Sequence, residues 1–141
     1  MSKTYRAIMI DPDARSVTEI NWDGSHDTMH ELIGADTLDH FTMAMWEEDR
    51  HTDHGWVDDD GLKAGKPIQA FLLPLSKDPI AGKCLIVGAD ERGETADARL
   101  PLRLLLQDAT WLGTILPEVH WEHTAQGSRA IVLYERLEAR Q

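Results

Sequence analysis

Basic residues are scarce in this chain of 141 amino acids. Its 14 lysines and arginines are outnumbered by 25 aspartates and glutamates, which leaves a formal net charge of −11. The basic side chains are scattered singly, without a cluster that could offset this charge locally. Because phosphates repel such a protein, the sequence disfavours direct binding to nucleic acids and to anionic membranes. The partner that the charge favours is a basic protein or nucleoprotein complex.

Cysteine is almost absent, and long apolar runs are missing. Cys84 is the only cysteine, so no internal disulfide can form, and its place in an apolar run predicts a small buried side chain rather than a reactive thiolate. No long apolar stretch follows the N-terminal residues, which argues against a signal peptide or a membrane span. We therefore expect a cytoplasmic protein, whose 42% hydrophobic content suffices for one core.

Complete motifs for catalysis, metals or cofactors are also missing. The segments 61–66 and 88–93 resemble fragments of phosphate-binding loops, but each lacks part of that motif. There is no nucleophile elbow and no carboxylate pair with apolar neighbours that would raise one pKa. Six of the seven histidines fall in three close pairs without a full zinc ligand set: His26 and His30, His51 and His54, His120 and His123. We predict no cofactor, no metal and no enzymatic activity.

Local patterns predict one α+β domain over residues 1–141, with a mostly antiparallel sheet, two helices packed on it and a C-terminal β-hairpin. Ser25 as N-cap and Gly34 as the residue after the last turn predict a helix over 26–33. Pro101 and Gly113 bracket a second helical pattern over 101–112. Alternating residues and turn signals predict strands over 5–10, 17–22, 38–46, 56–57, 68–73, 84–88, 119–123 and 130–135.

The polar segment after the predicted strand 38–46 is the most suggestive of function. Residues 47–55 are predicted to form the longest loop, and 58–61 a turn. Between positions 46 and 61 the chain has seven carboxylates and one basic residue, Arg50. Acidic side chains around exposed aromatics suit a basic protein partner. The alternative is a solvated loop over two core tryptophans, with any interface elsewhere, as on the C-terminal hairpin at Trp121. The candidate partner-binding residues are Trp46, Glu47, Glu48, Asp49, Asp53, Trp56, Asp58, Asp59 and Asp60.

Four sequence blocks follow one another along the chain. They are residues 7–17, which include Ile10-Asp11-Pro12, then residues 32–36, residues 56–62 and residues 79–88. In this order they resemble a family of short phage- and plasmid-encoded proteins, a domain of unknown function, over about residues 5–112. The predicted loop 47–55 and the hairpin extension 113–141 would be additions to that pattern. The resemblance implies a small accessory protein of a mobile genetic element, and it brings no catalytic residues.

Three classes of function remain compatible with these patterns. The first is an acidic protein-binding inhibitor of a host defence or nucleic-acid-binding complex, and this is the function that we expect. The second is a small-molecule binder that sequesters a signalling nucleotide, in which tryptophan stacks on the base. The lack of a basic cluster counts against phosphate recognition in that case. The third is an enzyme of unrecognised type, for which no constellation of residues was found.

Overall fold

The computed structural model describes residues 3–63, 65–74 and 76–137. These residues form ten strands and two helices. In chain order the elements are β1 (Tyr5–Asp11), β2 (Ser16–Trp22), α1 (His26–Ile33), β3 (Leu38–Trp46), β4 (His51–Asp58), β5 (Ile68–Leu72), β6 (Ile80–Ala81), β7 (Cys84–Ala89), β8 (Thr95–Ala96), α2 (Leu102–Asp108), β9 (Thr110–Thr124) and β10 (Gly127–Arg136).

The strands form two antiparallel sheets, as expected for an α+β fold. The first sheet has the order β2-β1-β7-β4-β3, with the short β8 paired to the end of β7. The second sheet has the order β10-β9-β5-β6. Every strand pair in both sheets is antiparallel. The C-terminal hairpin β9–β10 therefore belongs to the second sheet rather than forming a separate unit.

The first sheet lies between two hydrophobic clusters because successive side chains of a strand point to opposite faces. One face packs against Met29 and Ile33 of α1, and the other packs against Phe71 of the second sheet and Leu105 of α2. Full burial of each large apolar side chain contributes about 1.5–3 kcal/mol to folding. Cys84 is completely buried, as predicted, and this burial raises the pKa of its thiol to about 12.

Helix α1 has the predicted bounds and the predicted caps. The Ser25 hydroxyl accepts a hydrogen bond from the backbone N–H of Thr28 at 3.1 Å. Gly34 adopts a left-handed conformation with φ of 78°, and its N–H donates to the carbonyl of His30. These two residues satisfy backbone groups that a helix end leaves without partners.

Helix α2 is shorter than predicted, and the expectation that it extends to residue 112 is wrong. It ends at Asp108, and the following residues enter β9, where Thr110 pairs with Leu72. Gly113 does not end a helix but lies in β9 opposite Ala70, beside a register shift. The spacing of Leu105, Ala109 and Leu112 resembles one helical stripe, but Leu105 is buried from α2 and Leu112 from β9, with the half-buried Ala109 between the two elements.

The prediction of a long loop over residues 47–55 is also wrong. Only residues 47–50 form a turn, and β4 begins at His51, which pairs with Trp46. The inward-facing residues of this strand are His51, Asp53 and Gly55, all buried. A strand with polar residues on its buried face shows no apolar alternation, and its sequence therefore resembles a loop.

Candidate functional site

A cleft of about 460 Å³ opens between the first sheet and the C-terminal hairpin. One wall comes from the end of the β3–β4 pair, the floor from the β5–β6 connection and β6, and the other wall from β9 and β10. Its apolar lining residues are Phe41, Val57, Leu62, Pro79, Ile80, Ala81, Val119, Trp121, Ala130 and Val132. The cleft is thus an apolar groove shared by both sheets.

The hairpin wall of the cleft is formed by one face of two paired strands. Trp121 lies directly opposite Ala130, and Val119 lies directly opposite Val132. Directly opposed residues of an antiparallel pair project to the same face, so these four side chains form one apolar surface. Trp121 is 61% exposed although it is the largest of them. An exposed indole beside an apolar groove is typical of a binding surface.

The rim of the cleft is acidic. Four aspartates and two lysines line it together with polar residues of the two walls. Lys63 pairs with Asp59 at 3.5 Å, but both side chains are substantially exposed and such a pair is weak. The charged residues of the rim are Asp39, Asp58, Asp59, Asp78, Lys63 and Lys77. The cleft therefore presents an excess of negative charge around its apolar lining.

The turn after β4 fixes two of these carboxylates. The Asp58 carboxylate accepts from the N–H of Asp60 at 2.9 Å, and the N–H of Asp59 donates to the carbonyl of Thr37 at 3.0 Å. A Cβ at Gly61 would lie 3.1 Å from the Ala81 Cβ, so glycine allows the turn to approach β6 closely. Asp58 and Asp59 are consequently held beside the floor of the cleft.

The predicted partner-binding residues do not form one surface. Asp58 and Asp59 line the cleft, and Asp60 lies in the same turn, where its carboxylate accepts from the Thr37 hydroxyl at 3.1 Å. Glu47 and Glu48 lie in the turn at the opposite end of β4. That strand is eight residues long, so at roughly 3.3 Å per residue it separates the two groups by about 25 Å.

Asp53 is buried and does not belong to a surface. It has no exposed area, and His51 Nε2 donates to its Oδ1 at 2.7 Å. Its Oδ2 accepts from the backbone N–H groups of Arg99 at 2.9 Å and Leu100 at 2.8 Å. The assignment of Asp53 to a partner-binding loop is corrected by this geometry, because its carboxylate joins β4 to the segment that precedes α2.

Asp49 and Trp46 are both engaged by Arg99. The guanidinium donates to the Asp49 carboxylate at 2.9 Å, and these hydrogen bonds lower the pKa of Asp49. The same guanidinium lies 5.7 Å from the centre of the Trp46 ring. The adjacent turn 90–94 adds further carboxylates to this end of the sheet. The sequence does not reveal the proximity of that turn to the 47–50 turn, because it depends on the pairing of β4 with β7.

Trp56 belongs to the opposite face of the first sheet, beside α1. Its indole stacks on His40 with 4.5 Å between ring centres, and His26 contacts it edge-on at 5.6 Å. His54 lies 5.4 Å from His40, and burial together with this neighbour lowers the pKa of His54. Within the described residues, no three His, Cys, Asp or Glu side chains are arranged to hold a metal ion.

Comparison with known proteins identifies most of the chain but not the hairpin wall of the cleft. Residues 5–100 match a family model, a region that contains the first sheet, α1, β5 and β6. No curated protein and no solved structure matches the chain. Among the described residues, no helix is long and apolar enough to cross a membrane. Since the match covers well over half of its length, the chain belongs to the family described as Domain of unknown function (DUF3846).

Proposed function

We propose that the protein is a non-catalytic binding protein that holds a basic segment of a partner protein in the cleft. The observation that carries this proposal is the exposed indole of Trp121 in an apolar groove with an acidic rim. The volume of about 460 Å³ lies in the range of pockets that bury a small ligand or an anchoring side chain. It does not suffice for a folded domain.

The chemistry of the cleft defines the bound segment. An aromatic or branched aliphatic side chain packs between Trp121 and Val132, where removal of apolar area from water supplies most of the affinity. Lysine or arginine side chains on either side reach Asp39 and Asp59 on the rim. Exposed ion pairs contribute only about 0–1 kcal/mol each, so these charges act mainly on orientation and on the rate of association.

The proposed biological role is inhibition. Many nucleic-acid-binding complexes present basic segments, and an acidic protein that occupies such a segment blocks access of the nucleic acid. The net charge of −11 supports this role, because it attracts a basic target at long range. We place this activity in a phage or plasmid accessory protein that acts against a host defence complex.

A second candidate function is the binding of a small molecule. The exposed face of Trp121 is available for stacking on a planar base, which favours this alternative. The carboxylates on the rim repel phosphate, which disfavours a charged nucleotide. A nucleotide-binding assay with the purified protein distinguishes the two candidates.

The proposed function is tested by selecting peptides from a random library on the purified protein. We expect enrichment of sequences with one aromatic or aliphatic anchor flanked by lysine or arginine. The double substitution Asp39→Lys and Asp59→Lys should weaken the selected peptides by roughly tenfold or more, which corresponds to ~1.4 kcal/mol. Isothermal titration calorimetry measures the change, and Trp121→Ser should weaken the same peptides.

The matched control is the pair Glu47→Lys and Glu48→Lys. It changes the net charge by the same amount but lies at the other end of β4, so peptide affinity should stay close to that of the parent. If both double variants lose affinity equally, net charge rather than the cleft is responsible. Enrichment of peptides without basic residues would contradict the proposal.

A further inference from the structure

Strand β10 is an unprotected sheet edge. Among the described residues it pairs only with β9, and its register is continuous from Gly127 to Arg136 without a bulge. Edge strands are normally shielded by charges, prolines or bulges, because their free N–H and C=O groups can pair with another chain. The centre of β10, from Ala130 to Tyr134, has five consecutive residues without any of these protections.

Exposed apolar side chains are concentrated near the same edge. Of the nine large hydrophobic residues that are exposed in the described part of the chain, six lie at or after residue 116. The six side chains are divided between the two faces of the hairpin, and their concentration beside one sheet edge favours an interface at that edge. The six residues are Leu116, Trp121, Ile131, Leu133, Tyr134 and Leu137.

We propose that β10 pairs with β10 of a second copy of this chain, antiparallel, about a two-fold axis at Val132. A two-fold axis perpendicular to the sheet requires one residue to lie opposite its own copy. When that residue is Val132, Ile131 lies opposite Leu133 and Ala130 lies opposite Tyr134. Arg129 then lies opposite Glu135, so the sequence of β10 is complementary to itself in both apolar character and charge.

The neighbouring registers lack this complementarity. An axis at Ile131 would place Arg129 opposite Leu133. An axis at Leu133 would place Ile131 opposite Glu135. The register centred on Val132 is therefore favoured over both. Arg129 Nε already donates to Glu122 on β9 at 2.7 Å, so its guanidinium would lie between Glu122 and Glu135 of the second copy.

This pairing joins two four-stranded sheets into one continuous sheet and removes the free edge of each copy. The hydrogen bonds between the two copies would be formed by the outward-facing N–H and C=O groups of alternate β10 residues. The cleft lies between the hairpin and the first sheet, whereas pairing uses the outer edge of the hairpin. Self-association and peptide binding can therefore be tested separately.

The register is tested by cross-linking of single-cysteine variants. Because Cys84 is fully buried with a raised thiol pKa, it does not compete with an added thiol. Under mild oxidation Val132→Cys should give a covalent dimer on a non-reducing gel. Ile131→Cys and Leu133→Cys should each give little covalent dimer. In the proposed register each of these residues lies diagonally from the same residue of the second copy, at about 7–8 Å, beyond the usual reach of a disulfide. A mixture of these two variants should cross-link.

The association is tested by sedimentation of the uncross-linked chain. We expect a species of twice the 15.9 kDa chain mass that dissociates on dilution. Leu133→Lys should yield single chains, and Leu106→Lys on α2 is its matched control, because both leucines are 53% exposed. A parent that stays monomeric at all concentrations, equal cross-linking at the three positions or preferential cross-linking at 131 or 133 would overturn the proposal.

Discussion

Asp53 is a charged residue whose position is determined by buried hydrogen bonds. Its carboxylate is completely enclosed and accepts from one imidazole and two backbone N–H groups. A buried carboxylate without such donors would be strongly unfavourable, because its ionised form loses hydration. The three donors offset that loss and connect β4 to residues 99 and 100, which are distant in the sequence. The carboxylate of Asp53 therefore stabilises the packing of the fold and is not a partner-binding group.

Removal of the Asp53 carboxylate should cost much more stability than removal of a surface carboxylate. Asp53→Ala leaves the buried His51 imidazole and the partly buried N–H groups of residues 99 and 100 without their acceptor, so the free energy of unfolding should fall by about 3–5 kcal/mol. Asp49→Ala at the exposed Arg99 pair should cost far less, because solvent screens exposed ion pairs. Urea denaturation followed by circular dichroism measures both values. Equal losses in the two variants would show that the Asp53 hydrogen bonds do not stabilise the fold.

Elements determined by local signals are predictable from the sequence, and elements determined by distant partners are not. Helix α1 follows from Ser25, Gly34 and the spacing of its apolar residues, and the buried strand β7 follows from its apolar run. Of strand β4 only residues 56–57 were predicted, and residues 51–55 were missed, because their buried face is polar and the Asp53 carboxylate accepts from the N–H groups of residues 99 and 100. The cleft was missed for a related reason, since its walls meet only after the two sheets have packed. Trp121 was recognised as a residue of a C-terminal strand, but its exposure is a property of the folded hairpin.

The N-cap of α1 provides a prediction for a single element. Ser25→Ala removes the hydroxyl that accepts from the Thr28 N–H, and this should lower the free energy of unfolding by about 1 kcal/mol. Ser25→Asn is the matched control, because asparagine is an equally good N-cap and should retain most of that stability. Thermal denaturation of the two variants side by side distinguishes them. The prediction fails if alanine and asparagine melt at the same temperature.

The second sheet is built partly from the region that matches the family and partly from the C-terminal strands. Residues 5–100 contribute β5 and β6 to the second sheet, while β9 supplies the strand that pairs with β5. Leu112 and Ile115 of β9 pack with Ala70 of β5 in a small cluster of their own. The buried surface of β5 thus depends on residues outside the matched region.

Truncation should separate the folding role of β9 from the binding role of the hairpin tip. A chain that ends at Asp108 exposes β5, so we expect loss of the cooperative thermal transition in calorimetry. A chain in which an Asn-Gly turn replaces residues 119–132 retains the pairing of β9 with β5 and should still unfold cooperatively. This second variant also lacks Trp121 and Val132, so it should neither bind the selected peptides nor dimerise. Cooperative unfolding of the first variant would show that the matched region folds alone.

The support of β9 ends partway along its length. Its first part, from Thr110 to Ile115, is paired with β5, and the part from Ile115 to Thr124 is paired with β10, so only Ile115 has partners in both strands. Two-stranded ribbons twist and bend more readily than wider sheets. The hairpin is therefore held in place at Ile115 and becomes more flexible toward the turn that joins β9 and β10. The wall of the cleft formed by the first sheet is rigid, and the wall formed by the hairpin is flexible. We therefore expect bending of the hairpin to accommodate bound segments of different width without a change in the core.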